Sequence, residues 1–285
     1  MIDSTVRLVG GGYTVTLTDS AEELHRQPGG SGWGMAPVAN SWFEGAGDGA
    51  HLRGTRRLRR ELVVPLAAFG GTPRLVEAAI RKLVQIIRNP FRIYVDLADG
   101  QTFWIDAVYE SGAEGVYTAA PAQWNDMPVV FHCPDPYWTS DTSQAFNIAP
   151  IPASNPFLDP LAALSVASSS AFGEVSIMNT GDVASRPTLT IHGPGTNPTF
   201  LVNGEGFVLE KTLTNTDIVT VEYHGGSWTI EDQLGNNLYA ELKANPVPIF
   251  PELPPGISLV TATMTATGVE SFIKGIYPER REVVY

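Results

Sequence analysis

Residues 72–90 read Thr72-Pro73-Arg74-Leu75-Val76-Glu77-Ala78-Ala79-Ile80-Arg81-Lys82-Leu83-Val84-Gln85-Ile86-Ile87-Arg88-Asn89-Pro90. Thr72 suits an N-cap and Pro73 the first helical position, where a missing N–H costs nothing. Leu75, Val76, Ala79, Ile80, Leu83, Ile86 and Ile87 recur at three- and four-residue spacing, with Arg74, Arg81, Lys82 and Arg88 mostly opposite. That periodicity predicts an amphipathic helix over 73–88, about four turns long, packed by one side on a sheet. Asn89-Pro90 stops it. No other stretch of the 285 residues carries so strong a helical signal. The fold class follows: mainly β, with one packed helix.

On either side of the helix the sequence reads as strands. Residues 2–8 and 13–18 alternate apolar and polar around Gly10-Gly11-Gly12, which reads as a hairpin. Residues 91–97 form a strand, Ala98-Asp99-Gly100 turns it, and 101–108 return. Residues 129–133 form a later strand that ends at Pro134-Asp135-Pro136, where prolines cannot donate to a ladder. Residues 19–50, rich in glycine around Trp33, Trp42 and Phe43, read as a long loop whose aromatics dock on the parent domain or on another chain.

The proline-rich run 147–161 suits a linker or surface arm. The expected organisation is therefore 1–146 as an N-terminal β domain, 147–161 as the connection, and 162–285 as a second domain. In that second part, strands are expected at 174–178, 188–191, 199–203, 207–209, 218–223, 227–231, 238–242, 257–265 and 269–277. Spacing of about ten residues between turn signals argues for a β-sandwich. The two parts differ in charge. Residues 1–140 hold 12 basic and 15 acidic side chains, residues 141–285 hold 6 and 15, and the whole chain is net −12. Such a balance argues against a protein that grips phosphate over its whole surface.

The search for chemistry is negative. Gly45-Ala46-Gly47-Asp48-Gly49 lacks the Lys-Ser/Thr of a phosphate loop and reads as a turn. The five histidines share no metal-binding spacing, and the single Cys133 excludes an intrachain disulfide and a cysteine-rich zinc site. His132 and Cys133, adjacent on a strand, point to opposite faces and cannot pair. Asp96, Asp99 and Asp106 cluster around one hairpin, but thirty acids produce such clusters by chance. No serine lies in a nucleophile elbow. The expectation is a binding or structural protein, not an enzyme, with no cofactor, metal or catalytic residue assigned. No signal peptide is evident and no run spans a bilayer, so synthesis in a cytoplasm is expected.

One segment stands out. Arg53, Arg56, Arg57, Arg59 and Arg60 run directly into an apolar strand at 62–66. On an extended chain they fall on both faces, so they do not belong to a buried central strand. They read either as a solvated strand end or as a subunit interface, where arginine is enriched; nucleic acid comes third, against the chain's own field. In the second part, Tyr223, Trp228 and Tyr239 are candidate sugar-stacking rings, weighed against ordinary core positions.

Taken in order, these motifs form a pattern. Phe43-x-Gly45 and Gly47-Asp48-Gly49 precede Arg53-Gly54-x-Arg56, the apolar strand, the helix and the Asp99-Gly100 hairpin. Trp124 then precedes Cys133-Pro134-Asp135-Pro136-Tyr137-Trp138. Later come Asn179-Thr180-Gly181-Asp182, Arg186-Pro187-x-Leu189-x-Ile191 and Gly193-Pro194. The pattern resembles the distal tail proteins, also called minor tail proteins, of long non-contractile-tailed bacteriophages, over nearly the whole chain. The resemblance implies that the N-terminal domain forms a homohexameric ring and that the C-terminal domain is a galectin-like sandwich. It implies a structural virion component at the phage tail tip, a hub joining the tail tube to the tip or baseplate and its receptor-binding proteins. DNA would pass the ring without specific binding. The alternative is a lectin-like module that attaches to host-surface glycan.

Overall fold

The computed structural model describes residues 4–17, 24–45, 47–119, 122–149, 173–224 and 226–284. It divides into two compact units, one of Met1–Thr142 with Arg280–Tyr285, the other of Ser143–Glu279.

The first unit holds β1 (Thr5–Gly10), β2 (Tyr13–Thr16), β3 (Leu24–Arg26), β4 (Val38–Glu44), β5 (Ala50–Arg57), β6 (Arg60–Phe69), α1 (Pro73–Ile87), β7 (Phe91–Asp96), β8 (Thr102–Gly112), β9 (Val116–Ala119), β10 (Ala122–Cys133) and the start of β11 (Trp138–Ile148). All pairings are antiparallel. One ladder runs β2-β1-β7-β8, and a second runs β8-β10-β6-β3 with β9 beside β10. β8 belongs to both: residues 102–107 pair with β7, and residues 108–112 pair with β10. The helix lies against β1, β2, β6 and β10. It buries Val76, Ala79, Leu83, Ile86 and Ile87, as its spacing predicts, but leaves Leu75 and Val84 exposed. Thr72 sits at the N-cap without a side-chain hydrogen bond, so the predicted cap is positional only. Gly10 and Gly11 do more than turn the chain. A Cβ on Gly10 would fall 2.6 Å from the Phe91 Cβ and 2.7 Å from the Ile86 carbonyl oxygen. One on Gly11, at φ +58°, would fall 2.5 Å from the Gln85 carbonyl oxygen. The hairpin slides under the end of the helix, and only glycine permits that approach.

The region expected to be one long loop is partly strand. Its segment 38–44 pairs with β5 as a separate two-stranded ribbon, and 24–26 joins β6. The ribbon was illegible because neither of its faces is buried, so it shows no alternation of apolar and polar residues. Most of the proline-rich run, from residue 150, lies outside the described residues, whereas Asn147 and Ile148 end β11.

The second unit is a sandwich of two antiparallel sheets. The elements are β12 (Gly173–Asn179), β13 (Thr188–His192), β14 (Gly195–Val202), β15 (Glu205–Val208), β16 (Thr212–Leu213), β17 (Ile218–His224), β18 (Ser227–Asp232), β19 (Gly256–Thr265) and β20 (Phe272–Arg281). One sheet runs β18-β17-β13-β20, the other β12-β19-β14-β15 with β16 beside β14. Leu189, Ile191, Val219, Val221 and Ile273 meet Phe200, Phe207, Val260 and Met264 in a core of alternating inward residues. The strand expected at 238–242 is instead a 3-10 turn at Tyr239–Glu241. There the Asn237 side chain accepts the Tyr239 N–H at 2.8 Å and bends the chain.

Candidate functional site

The arginine block divides in two. Arg60 opens β6 with no solvent exposure. Its guanidinium donates to the carbonyl oxygens of Pro136 (2.8 Å), Gly32 (2.5 Å), Gly34 and Glu282 (2.6 Å). Four backbone acceptors from three distant segments meet one planar fork, which an arginine can satisfy and a lysine cannot. Arg57 reaches the carboxylate of Glu282. These two residues therefore lock the first unit internally. Arg53, Arg56 and Arg59 point outward and are exposed.

Arg53 and Arg56 ride on the β4–β5 ribbon, Arg56 opposite Ala39. Its apolar side chains are also outside: Trp42 is 56%, Phe43 48% and Leu52 53% exposed. The Arg53 guanidinium lies 4.5 Å from the Phe43 ring centroid, and Thr55 donates to Asn40 across the pair at 2.9 Å. The ribbon is thus an ordered, arginine-edged apolar projection with no side packed on its own core. Exposed large aromatics of this kind mark contact surfaces.

Other apolar groups of the unit are also exposed: Val84 on the helix, Val108 and Tyr109 on β8, and Val116 and Tyr117 on β9. Glu110 on β8, Glu114 between β8 and β9, and Asp126 on β10 are exposed acids. Two hollows indent the unit. One of about 750 Å³ is lined by Pro73, Ile80, Tyr117 and Trp124, and one of about 340 Å³ by Val84, Ile87, Pro90 and Tyr109. His132 lies between two carboxylates, 3.3 Å from Glu61 and 3.4 Å from Glu110.

The acids that sequence clustered around the β7–β8 hairpin are already engaged. Asp96 accepts both Arg7 nitrogens, at 2.6 and 2.7 Å, and the Thr102 hydroxyl at 2.8 Å. The hydrogen bond from Arg7 holds the Asp96 carboxyl below the usual carboxylate range and raises Arg7 in turn. Asp106 pairs with Arg92 at 3.1 Å, and Asp99 caps the N–H of Gln101. Asp232 closes its own loop, where Asn236 above all holds its carboxyl low. Cys133 is buried, and desolvation pushes its thiol up to about 12. Among the described residues no cluster of three metal-binding side chains occurs.

In the second unit, Tyr223, Trp228 and Tyr239 do come together, and Phe250 joins them. Trp228 stacks on Phe250 at 5.3 Å, and Tyr223 meets Trp228 edge-on at 5.5 Å. Arg186 lies 3.9 Å over the Tyr223 ring, and the Tyr239 hydroxyl donates to the Trp228 carbonyl oxygen. These rings stack chiefly on one another. Phe250 carried no sequence signal beyond its place in a proline-rich loop.

No family profile matches this chain, and no curated protein matches its sequence. Solved structures do match. The crystal structure of the SPP1 Dit protein, described as a paradigm of the hub adsorption apparatus in phages infecting Gram-positive bacteria, is 16% identical. It covers 97% of this chain and 98% of its own, with a TM-score of 0.59. A chain of the phage P2 baseplate in its activated conformation with calcium is 10% identical, covering 99% and 100%, at 0.55. The strontium form gives 10%, 99% and 99%, at 0.54. Over almost its whole length, the chain has the fold of these phage hub and baseplate proteins.

Proposed function

We propose that this protein is a distal tail protein: a structural, non-enzymatic component of a phage virion that forms the hub between tail tube and tail tip or baseplate. The observation that carries the reading is the end-to-end correspondence with the SPP1 hub protein, which takes in nearly all of both chains. A shared single domain would leave the role open, because one fold hosts many functions. A match through both units, in order, narrows it. On this reading the first unit builds a homohexameric ring, and the second, a galectin-like sandwich, faces outward toward receptor-binding proteins.

A closed ring needs two different complementary surfaces on each subunit. The ribbon with Arg53 and Arg56, and Arg59 just beyond it, would supply a basic, aromatic one, and the exposed acids Glu110, Glu114 and Asp126 would supply the acidic partners. Seated on each other between neighbouring copies, they would cover Trp42 and Phe43 and pair opposite charges. DNA crossing such a ring would meet an overall acidic chain and slide by without binding. Negative-stain microscopy with native mass spectrometry of the purified protein, alone and with its neighbouring tail proteins, tests the reading. A six-fold ring with a central channel is expected, and a strict monomer in both conditions would refute it.

A further inference from the structure

The loop after β3 lies flush on β6. Ser31 and Val63 exchange backbone hydrogen bonds at 3.1 Å, and Gln27 donates to the Pro65 carbonyl oxygen at 2.8 Å. Gly30 and Gly32, at φ +90° and +86°, sit so close to the β6 carbonyls that a side chain on either would collide with backbone. Held this way, the loop presents Trp33, which stacks at 5.9 Å on the fully buried Trp138. Arg26, the last residue of β3, lays its guanidinium 4.4 Å from the Trp33 ring centroid. The loop, the end of β3 and the floor beneath enclose a cavity of about 620 Å³. Ser4, Val6, Arg26, Trp33, Val95 and Val284 line it, with the glycines of the loop. Its floor is apolar: Val6, Val95 and Val284 are all buried.

Arg26, on this wall, has its stack on Trp33 and meets no carboxylate among the described residues. Burial without that counter-charge pulls its guanidinium below the usual range. A half-buried cation without a counter-charge is costly, and native structures retain one where something else completes the set. The volume falls within the range of small-ligand and side-chain pockets, and the lining is apolar with a few polar groups, as such sites require.

We propose that this cavity binds a carboxylate carried on an apolar body, with Arg26 taking the carboxylate and the valine floor taking the apolar part. A planar guanidinium fixed by stacking is pre-organised for a two-point contact with a carboxylate. The body could be a free organic acid or the end of a peptide from a neighbouring protein, and the two share this chemistry. No residue of the β4–β5 ribbon lines this cavity.

The test uses the full chain and two probe pairs. Free 4-(4-fluorophenyl)butyrate and its neutral amide are titrated with fluorine NMR; the peptide acetyl-Gly-Phe-Leu, as C-terminal acid and as amide, is titrated by calorimetry. Saturable binding of at least one acid, with its amide weaker by about tenfold or more, is expected from loss of one charge-assisted contact. Which acid wins tells whether the natural ligand is small or peptidic. Arg26→Gln should cost a similar factor, and Arg26→Lys, which keeps the charge without the planar fork, should fall between. Absence of binding by both acids up to about 5 mM, or equal binding of acid and amide, overturns the proposal without reliance on any variant.

Discussion

The buried guanidinium of Arg60 donates to the backbone carbonyl of Glu282, 222 residues away in sequence, at 2.6 Å. This bond ties the C-terminal residues to the start of β6, and the same guanidinium also holds Pro136 in the Pro-Asp-Pro turn. Nearby, Arg280 pairs with Asp135 and lies 5.0 Å from the Tyr137 ring centroid. The motif Cys133-Pro134-Asp135-Pro136-Tyr137-Trp138 is thus a docking point for the chain end, with Trp138 and Cys133 buried beneath it.

Arg60 and Arg59 should therefore separate sharply under mutation. Arg60→Met strands several buried carbonyls and is expected to cost about 3–5 kcal/mol. Arg59→Met, on an exposed side chain, should stay within about 0.5 kcal/mol. Urea unfolding of the two variants measures both.

Charge reversal of the outward set should affect assembly rather than folding. Arg53→Glu, Arg56→Glu and Arg59→Glu together are expected to reduce ring occupancy about tenfold or more, while the thermal midpoint of the monomer stays near wild type. Native mass spectrometry and calorimetry report the two quantities, and compensating reversal of Glu110, Glu114 and Asp126 to Lys should restore part of the ring.

The Arg7–Asp96 pair gives a pH signature. Because the folded carboxyl is depressed by Arg7, its contribution is fully present above the unfolded value near pH 4 and is lost as pH falls through the lower folded value. With both side chains roughly one-third exposed, Asp96→Asn should cost about 1 kcal/mol at pH 7, allowing for solvent screening. Urea titrations across pH should show wild type and variant converging only on the acid side.

At the β1–β2 turn, neighbouring glycines should respond unequally. Gly10→Ala drives a Cβ into Phe91 and the Ile86 carbonyl and is expected to cost about 2–3 kcal/mol or more. Gly12→Ala meets open space and carries only the strain of its positive φ, about 1–2 kcal/mol. Chemical denaturation distinguishes them.

Cys133, with its thiol pushed up to about 12, should resist a thiol reagent at pH 8 in the folded protein and label fully in urea. Rapid labelling of the native protein would contradict its burial.

Much of this architecture is readable from spacing alone. The helix, the β7–β8 hairpin and most strands of the sandwich carry one buried face, and burial imposes a period. What spacing does not carry is the use of a residue whose partners are remote. Alternation puts Arg60 on the buried face of β6 with Leu62 and Val64, but the carbonyls that make it structural lie 26 to 222 residues away. The ribbon escaped notice for the opposite reason, since a strand pair with no buried face has nothing to alternate. Arg26 and Trp33 are seven residues apart in a glycine-rich stretch, and their stacking depends on the path that Gly30 and Gly32 permit.

The β4–β5 ribbon closes its ladder over a short span of sequence, so it can form early. Until another surface covers it, Trp42 and Leu52, paired across the ribbon, and Phe43 beside them present adhesive groups to every other newly made copy. Arg53 lying across Phe43, with Arg56 on the paired strand, puts fixed like charges along the ribbon. Two such ribbons repel when they meet face to face, and each still accepts an acidic partner. On the proposed ring reading, the arginines would act as gatekeepers, holding free subunits apart while leaving the ordered contact open.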